Sequence, residues 1–187
     1  MSLALGDASD TELVALARGG AQAAYRALTE RHRDGLYRLA RGATGDAEEA
    51  FDVTQEAFIA AFGALDAYDP ARPFRAWITR IALNKSRDAM RRRAVRRLFS
   101  FAIPDAAIKT ADPTSPIDEA LADRQELARA SAAIADLPAR LKEVLLLRTV
   151  EGMSQADTAA ALGISDKAVE TRLYRARKTL AAALATN

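Results

Sequence analysis

A chain of 187 residues, half of them hydrophobic, has the material for one ordinary domain or two small ones. Its formal charge is only +2 although the sequence pI is about 9.1, so any basic surface is local, and a nucleic-acid partner is allowed without being required. The absence of cysteine excludes disulfide frameworks, thiol nucleophiles and the usual structural zinc sites, and with neither a basic leader before an apolar core nor a stretch of membrane-spanning length, a soluble cytoplasmic chain without membrane insertion is expected.

Apolar residues recur at helical spacing almost everywhere, Ala and Leu are abundant, and no sustained apolar-polar alternation occurs, which predicts an all-α protein. Ser9 with Glu12 three residues later is a capping-box pattern, and Leu13, Leu16 and Ala17 begin the apolar face of a first helix that continues near Gln22 to Leu39. A second helical block runs from Asp46 to Leu65 with Phe58, Phe62 and Leu65 on one face, and stops before Pro70. A third starts near Phe74, buries Phe74, Trp77, Ile78 and Ile81, and continues past Asn84 into "RDAMRRRAVRR". These blocks make a first domain, residues 9–98.

Pro104, Pro113 and Pro116 interrupt any helix over 99–116, which reads as a flexible linker. Helical periodicity resumes near Ile117 and opens a second small domain, 117–185. There Pro138 suits a first helical turn, Gly152 ends that helix, Ser154 with Asp157 starts a short one, Gly163 breaks it, and Ser165 is the candidate N-cap of the last. The final pair reads as helix-turn-helix: Ala159 is small at the crossing, Gly163 can take positive φ, and Leu162, Ile164, Val169 and Leu173 hold the helices together. An ordinary helical hairpin is the alternative. Lys167, Arg172, Arg175, Arg177 and Lys178 on one short helix favour an element that enters a phosphate-lined groove, although Arg177 is equally suited to salt bridges or hydration.

In "DVTQEAFIAAF", Asp52, Gln55 and Glu56 fall within one turn beside the core-facing Phe58 and Phe62. Paired carboxylates are a general acid-base pattern, but no nucleophile, metal cluster or phosphate loop accompanies them; an enzyme is not expected, and neither is a cofactor or a metal. Lone His32, between Arg31 and Arg33, reads as a surface residue.

"GDAEEAFDVTQEAFIAAF", "FRAWITRIALNKSRDAMRRR" and "LPARLKEVLLLRTVEGMSQADTAAALGISDKAVETRLYRARKTL" resemble regions 2 and 4 of extracytoplasmic-function sigma factors of bacterial RNA polymerase. The resemblance spans most of both domains and omits the linker, which in that family threads near the RNA exit path. It implies docking on the polymerase, with Asp52, Gln55 and Glu56 on the β′ clamp helices and a second contact at the β flap; a solvated helix face is the plain alternative for those three residues. It implies that "YDPARPF" and Asn84 handle an unstacked base of the −10 element, with help from Tyr68 and Arg72, while Phe74 and Trp77 remain core. Asn84 has the alternative of satisfying a buried backbone group.

The basic run Lys85, Arg87, Arg91, Arg92, Arg93, Arg96 and Arg97 continues that helix and suits phosphate contact, against the plain reading of a solvated face. In the last helix the resemblance assigns −35 base contacts to Glu170, Thr171, Tyr174 and Arg175 and phosphates to Lys167 and Lys178. Glu170 can accept from a cytosine amino group, where some family members carry a basic residue. Two departures stand out: Phe51 occupies a position often acidic, and Thr158 one usually aliphatic. The family further implies a cognate anti-sigma protein. The competing class is an autonomous helix-turn-helix regulator, which leaves "DVTQEAF" and "FRAWITRIALN" unexplained.

Overall fold

Ser9 caps the first helix as its spacing predicts: its hydroxyl accepts from the Glu12 backbone N–H at 3.3 Å, and its own N–H donates to the Glu12 carboxylate at 2.7 Å. The computed structural model describes residues 5–100 and 128–185, with backbone alone at 98–100. Among them there are helices and turns but no strands. The order is α1 (Asp10–Arg18), α2 (Gln22–Thr44), α3 (Ala47–Gly63), a 3-10 turn (Leu65–Ala67), α4 (Phe74–Ser100), helical residues 128–135 (α5), α6 (Ala139–Thr149), α7 (Gln155–Leu162) and α8 (Asp166–Ala185).

The first predicted helix divides in two, because Gly19 to Ala21 fold into a turn in which Gly20 and Ala21 donate back to Ala17 and Leu16. α4 runs to Ser100, two residues into the segment read as linker; residues 101–116 and the expected restart at Ile117 lie outside the described residues. His32 departs from expectation: it is 9% exposed, its Nε2 lies 2.8 Å from Asp10 Oδ2, and its ring packs on Phe74. The reason is its place in the stripe Leu28, His32, Leu36, Leu39, which turns toward the core of the α1–α4 bundle. Burial acts to raise the Asp10 pKa, but the hydrogen bonds and charges of His32 and Arg31 outweigh it and hold the carboxyl below its ordinary value.

The α1–α4 bundle and the helices α6–α8 are packed together. Leu146, Leu147, Met153 and Ala161 share one buried cluster with Leu13, Leu28, Leu39, Phe58, Phe74 and Ile78. The approach is permitted by two glycines one heptad apart on α2: a Cβ on Gly42 would sit 2.5 Å from Leu146 Cδ2, and one on Gly35 would sit 2.9 Å from Glu151 Oε2. α6 is buried all round from Lys142 to Leu147, as a helix between two layers must be. One side serves α8, with Leu137, Leu145 and Ala176 in a separate cluster, and the other faces α2.

Candidate nucleic-acid and protein interfaces

On α3 the core takes Ala50, Val53, Thr54, Ala57, Phe58 and Ala61, so helical geometry turns Asp52 and Gln55 to the outside and leaves Glu56 partly covered. Glu56 lies 3.5 Å from both Lys85 and Arg92 of α4. Phe51 and Ile59 flank this polar turn and are 56% and 71% exposed. They are one turn either side of Gln55, so the face is an apolar pair around a polar centre. Sequence reasoning noted Phe51 only as a departure and missed Ile59; subtracting the core stripe from the helix would have found both.

Asn84 is exposed, which removes the alternative of a buried backbone cap, and its Oδ1 accepts from Arg87 at 2.8 Å. Arg80, Asn84, Arg87 and Arg91 follow at spacings of four, three and four, a single helical stripe. Arg80 was missed because it precedes the dense basic run, although the spacing contains it. Arg91 lies 3.2 Å from Asp88, Arg93 3.5 Å from Glu49, and Arg87 makes a two-pronged contact with Glu143 at 2.5 and 2.8 Å. That bond, opposed by burial, raises the Arg87 pKa still further.

Tyr68, expected to help handle an unstacked −10 base together with Arg72, is buried. It is 3% exposed, its hydroxyl donates to the Arg72 carbonyl at 2.6 Å, and its ring meets Phe74 edge-on and leans on Trp77. Arg18 clamps the carbonyls of Leu65 and Tyr68 from α1. Tyr68 therefore fixes the 68–73 loop from beneath, since an aromatic so close to the Phe74 and Trp77 stripe is drawn into it. Arg72 stands exposed on the same loop, 3.7 Å from Asp69.

In α7 and α8 the helix-turn-helix expectations meet their geometry. Gly163 has φ of 64°, the left-handed conformation that ends α7 and turns the chain into α8. Ser165 Oγ accepts from the Ala168 N–H, and Val144, Ala159 and Val169 form a buried cluster joined by Leu162, Ile164 and Leu173. Thr158 is fully buried where an aliphatic residue was expected; its hydroxyl is satisfied by the Ser154 carbonyl at 2.8 Å, so the substitution leaves no orphan donor. With Val169 and Ala176 turned inward, Lys167, Glu170, Thr171, Tyr174, Arg175 and Lys178 are all exposed, Tyr174 at 68%. Lys167 lies 2.9 Å from Glu170, and the Thr171 hydroxyl donates to the Lys167 carbonyl.

No group of three or more His, Asp or Glu side chains among the described residues is placed to hold a metal ion, and none of their helices is long and apolar enough to cross a membrane. A helical bundle carrying an exposed Arg-Asn stripe, joined to a helix-turn-helix unit with an exposed polar face, defines a two-part DNA-binding protein. Residues 28–96 match the family Sigma-70 region 2, and residues 127–180 match Sigma-70, region 4. The RNA polymerase sigma factor CnrH of Cupriavidus metallidurans is 41% identical over 181 residues, 94% of each chain. The ECF RNA polymerase sigma factor SigM of Mycobacterium tuberculosis is 31% identical over 92% of this chain and 83% of its own. A solved structure of CnrH in complex with the cytosolic domain of CnrY has a TM-score of 0.73 at 37% identity, covering 96% of this chain and 99% of that one. The chain belongs to the extracytoplasmic-function sigma factors of the sigma-70 family.

Proposed function

We propose that this sigma factor docks on core RNA polymerase through Asp52, Gln55 and Glu56, with Phe51 and Ile59 as apolar flanks, opens −10 DNA with α4 and the 68–73 loop, and reads −35 DNA with α8. The observation that carries the reading is the outward face of α8, where every residue assigned to the −35 element is exposed on a helix whose other face is locked to α6 and α7. Glu170, Thr171, Tyr174 and Arg175 contact bases; Lys167 and Lys178 contact phosphates and fix register. On α4, Asn84 and Arg72 approach the unpaired strand, and Lys85, Arg87, Arg91 and Arg92 approach its backbone.

The chain is an initiation factor and not a catalyst, works in the cytoplasm where the polymerase is, needs no cofactor, and is held in check by a cognate anti-sigma protein. The CnrH structure, solved with part of CnrY, supports that last element. The test is run-off transcription from a genomic promoter library with core polymerase and this chain. Selective initiation supports the reading; unchanged initiation with and without the chain refutes it.

A further inference from the structure

The segment 65–73, which joins α3 to α4, has two faces. Asp69 to Pro73 are exposed, whereas Leu65 and Tyr68 are 4% and 3% exposed. Its tip is tied internally: Asp69 Oδ1 accepts from the Ala71 N–H at 3.0 Å, and the Asp69 carbonyl accepts from the Arg72 N–H at 3.1 Å. Its base is held by Arg18, in the last turn of α1. The Arg18 guanidinium donates to the Leu65 carbonyl from Nε at 3.1 Å and from Nη2 at 2.6 Å, and Nη2 donates to the Tyr68 carbonyl at 2.7 Å. Asp66 lies 3.9 Å from Arg18 and is fully exposed, so that ion pair adds little and the two carbonyls fix the arginine.

Tyr68 passes this hold outward. Its ring is wedged against Phe74 and Trp77, with centroids 5.5 and 5.3 Å apart, and its hydroxyl donates to the Arg72 carbonyl at 2.6 Å. A continuous series of contacts thus runs from α1 through Tyr68 to the backbone that carries the exposed Arg72. α1 cannot follow the loop, because Leu13, Val14 and Ala17 anchor it in the bundle core. A cation in the last turn also suits the helix dipole, but that role needs no partner, whereas Arg18 directs three hydrogen bonds at the loop.

We propose that Arg18 is a positioning residue for promoter opening, which from α1 and through Tyr68 presets the 68–73 loop in the conformation that receives the unstacked −10 base. A loop ordered before DNA arrives loses little backbone freedom on capture, and apparent affinity rises with the fraction of chains in the competent conformation. Pro70 and Pro73 act in the same direction by fixing φ. The inference rests on the reading of this loop as a −10 contact and goes beyond it: Arg18 lies before the residues matched to Sigma-70 region 2 and acts through Tyr68 rather than on a nucleotide.

Trp77 is the single tryptophan of the chain, and Tyr68 leans on it, so its fluorescence reports the loop. In Arg18→Ala, at helix content matched to wild type by circular dichroism, Trp77 emission should shift to the red and its quenching by acrylamide should rise. Holoenzyme carrying this variant should assemble as wild type does, but bind single-stranded −10 DNA, taken from a promoter opened in the run-off library, about tenfold more weakly. Arg18→Lys, whose ammonium can still donate to both carbonyls, should restore most of the loss. Abasic substitution of the strand, one position at a time, locates the action. At the captured base the two proteins should bind equally, because neither has a base to receive; at other positions the gap should persist.

Unchanged Trp77 quenching in folded Arg18→Ala overturns the hold of α1 on the loop. A gap that persists with every abasic strand overturns the positioning role and makes Arg18 a residue of stability alone. If no abasic strand weakens wild-type binding, the reading of the loop as a −10 contact fails, and the inference falls with it. Should Arg18→Ala not fold, Tyr68→Phe, which removes only the hydroxyl bond to Arg72, should give the same abasic pattern with a gap of about threefold, and no gap overturns the proposal.

Discussion

The basic residues of α4 and those of α8 face opposite situations. On α4, Lys85, Arg87, Arg91, Arg92 and Arg93 each lie within ion-pair distance of a carboxylate, and for all but Arg91 that carboxylate is on α3 or α6. On α8, Arg175, Arg177 and Lys178 form no ion pair among the described residues, and only Lys167 is matched, by Glu170. Density of charge therefore says little about readiness to bind: a paired arginine must lose its carboxylate before it gains a phosphate, whereas an exposed one needs only to shed water. The cations of α8 are open to solvent, and those of α4 are held by carboxylates.

Disrupting the protein dock should have the largest effect. Asp52→Ala with Glu56→Ala is expected to weaken core-polymerase binding roughly 30-fold, the scale of an interfacial hot spot, while changing stability by about 0.5 kcal/mol or less. Titration of labelled core enzyme with a folded variant checks this, and unchanged affinity would return these residues to a solvated helix face. Because Glu56 also neutralises Lys85 and Arg92, Glu56→Gln alone should tighten single-stranded DNA binding while weakening the dock. That opposite movement separates the two faces.

Next in size is Asn84→Ala, which should retain polymerase binding but reduce open complex about tenfold, the scale of one lost base contact. Permanganate reactivity of unpaired thymines reads it directly. Equal reactivity per bound polymerase would show that Asn84 only orients Arg87. On α8 the contrast should run within one helix: Arg175→Ala relaxes preference at one −35 position, at a cost of about 1–3 kcal/mol, whereas Lys178→Ala costs affinity evenly across sequences and flattens the salt slope by about one unit. A salt titration of holoenzyme binding on matched and mismatched −35 DNA distinguishes them.

The smallest expected effect lies in the α1–α2 joint and controls for stability alone. Asp10 has a pKa below its ordinary value, so its contribution is complete above about pH 3.9 and is lost as pH falls through the lower folded-state value. Asp10→Asn should therefore cost about 1 kcal/mol at neutral pH, and the gap to wild type should close in acid. Urea unfolding at neutral pH and near pH 3 checks the sign; a gap that widens in acid contradicts the assigned pairing.

Local patterns carried most of the fold. Ser9 with Glu12, Ser154 with Asp157, Gly163 and Ser165 each act through neighbours a turn away, so their roles are legible in sequence. The apolar stripe of α8 likewise dictates which side chains remain outside. What was hidden depends on partners far along the chain. His32 read as surface because its neighbours are arginines, yet the stripe from Leu28 to Leu36 places it inside, against an aspartate 22 residues earlier. Tyr68 was read for its help with a −10 base, and its burial against Phe74 and Trp77, with Arg18 of α1 on its carbonyl, depends on a partner 50 residues away. The packing of α6 on α2 was least legible, since periodicity shows that α6 is buried all round but not what covers it, and Gly35 and Gly42 carry meaning only once Leu146 and Glu151 arrive above them.

The central claim, that the outward face of α8 reads −35 DNA in sequence-specific fashion, turns most directly on Glu170. A carboxylate accepts but does not donate, so it should favour a cytosine amino group and disfavour a guanine edge at one step by about 1–3 kcal/mol. Selection of randomised −35 DNA by holoenzyme carrying wild-type chain or Glu170→Arg measures this. The account predicts that the variant's selected base at that step switches from cytosine to guanine; identical selected sequences would contradict it and mean that Glu170 serves Lys167 alone.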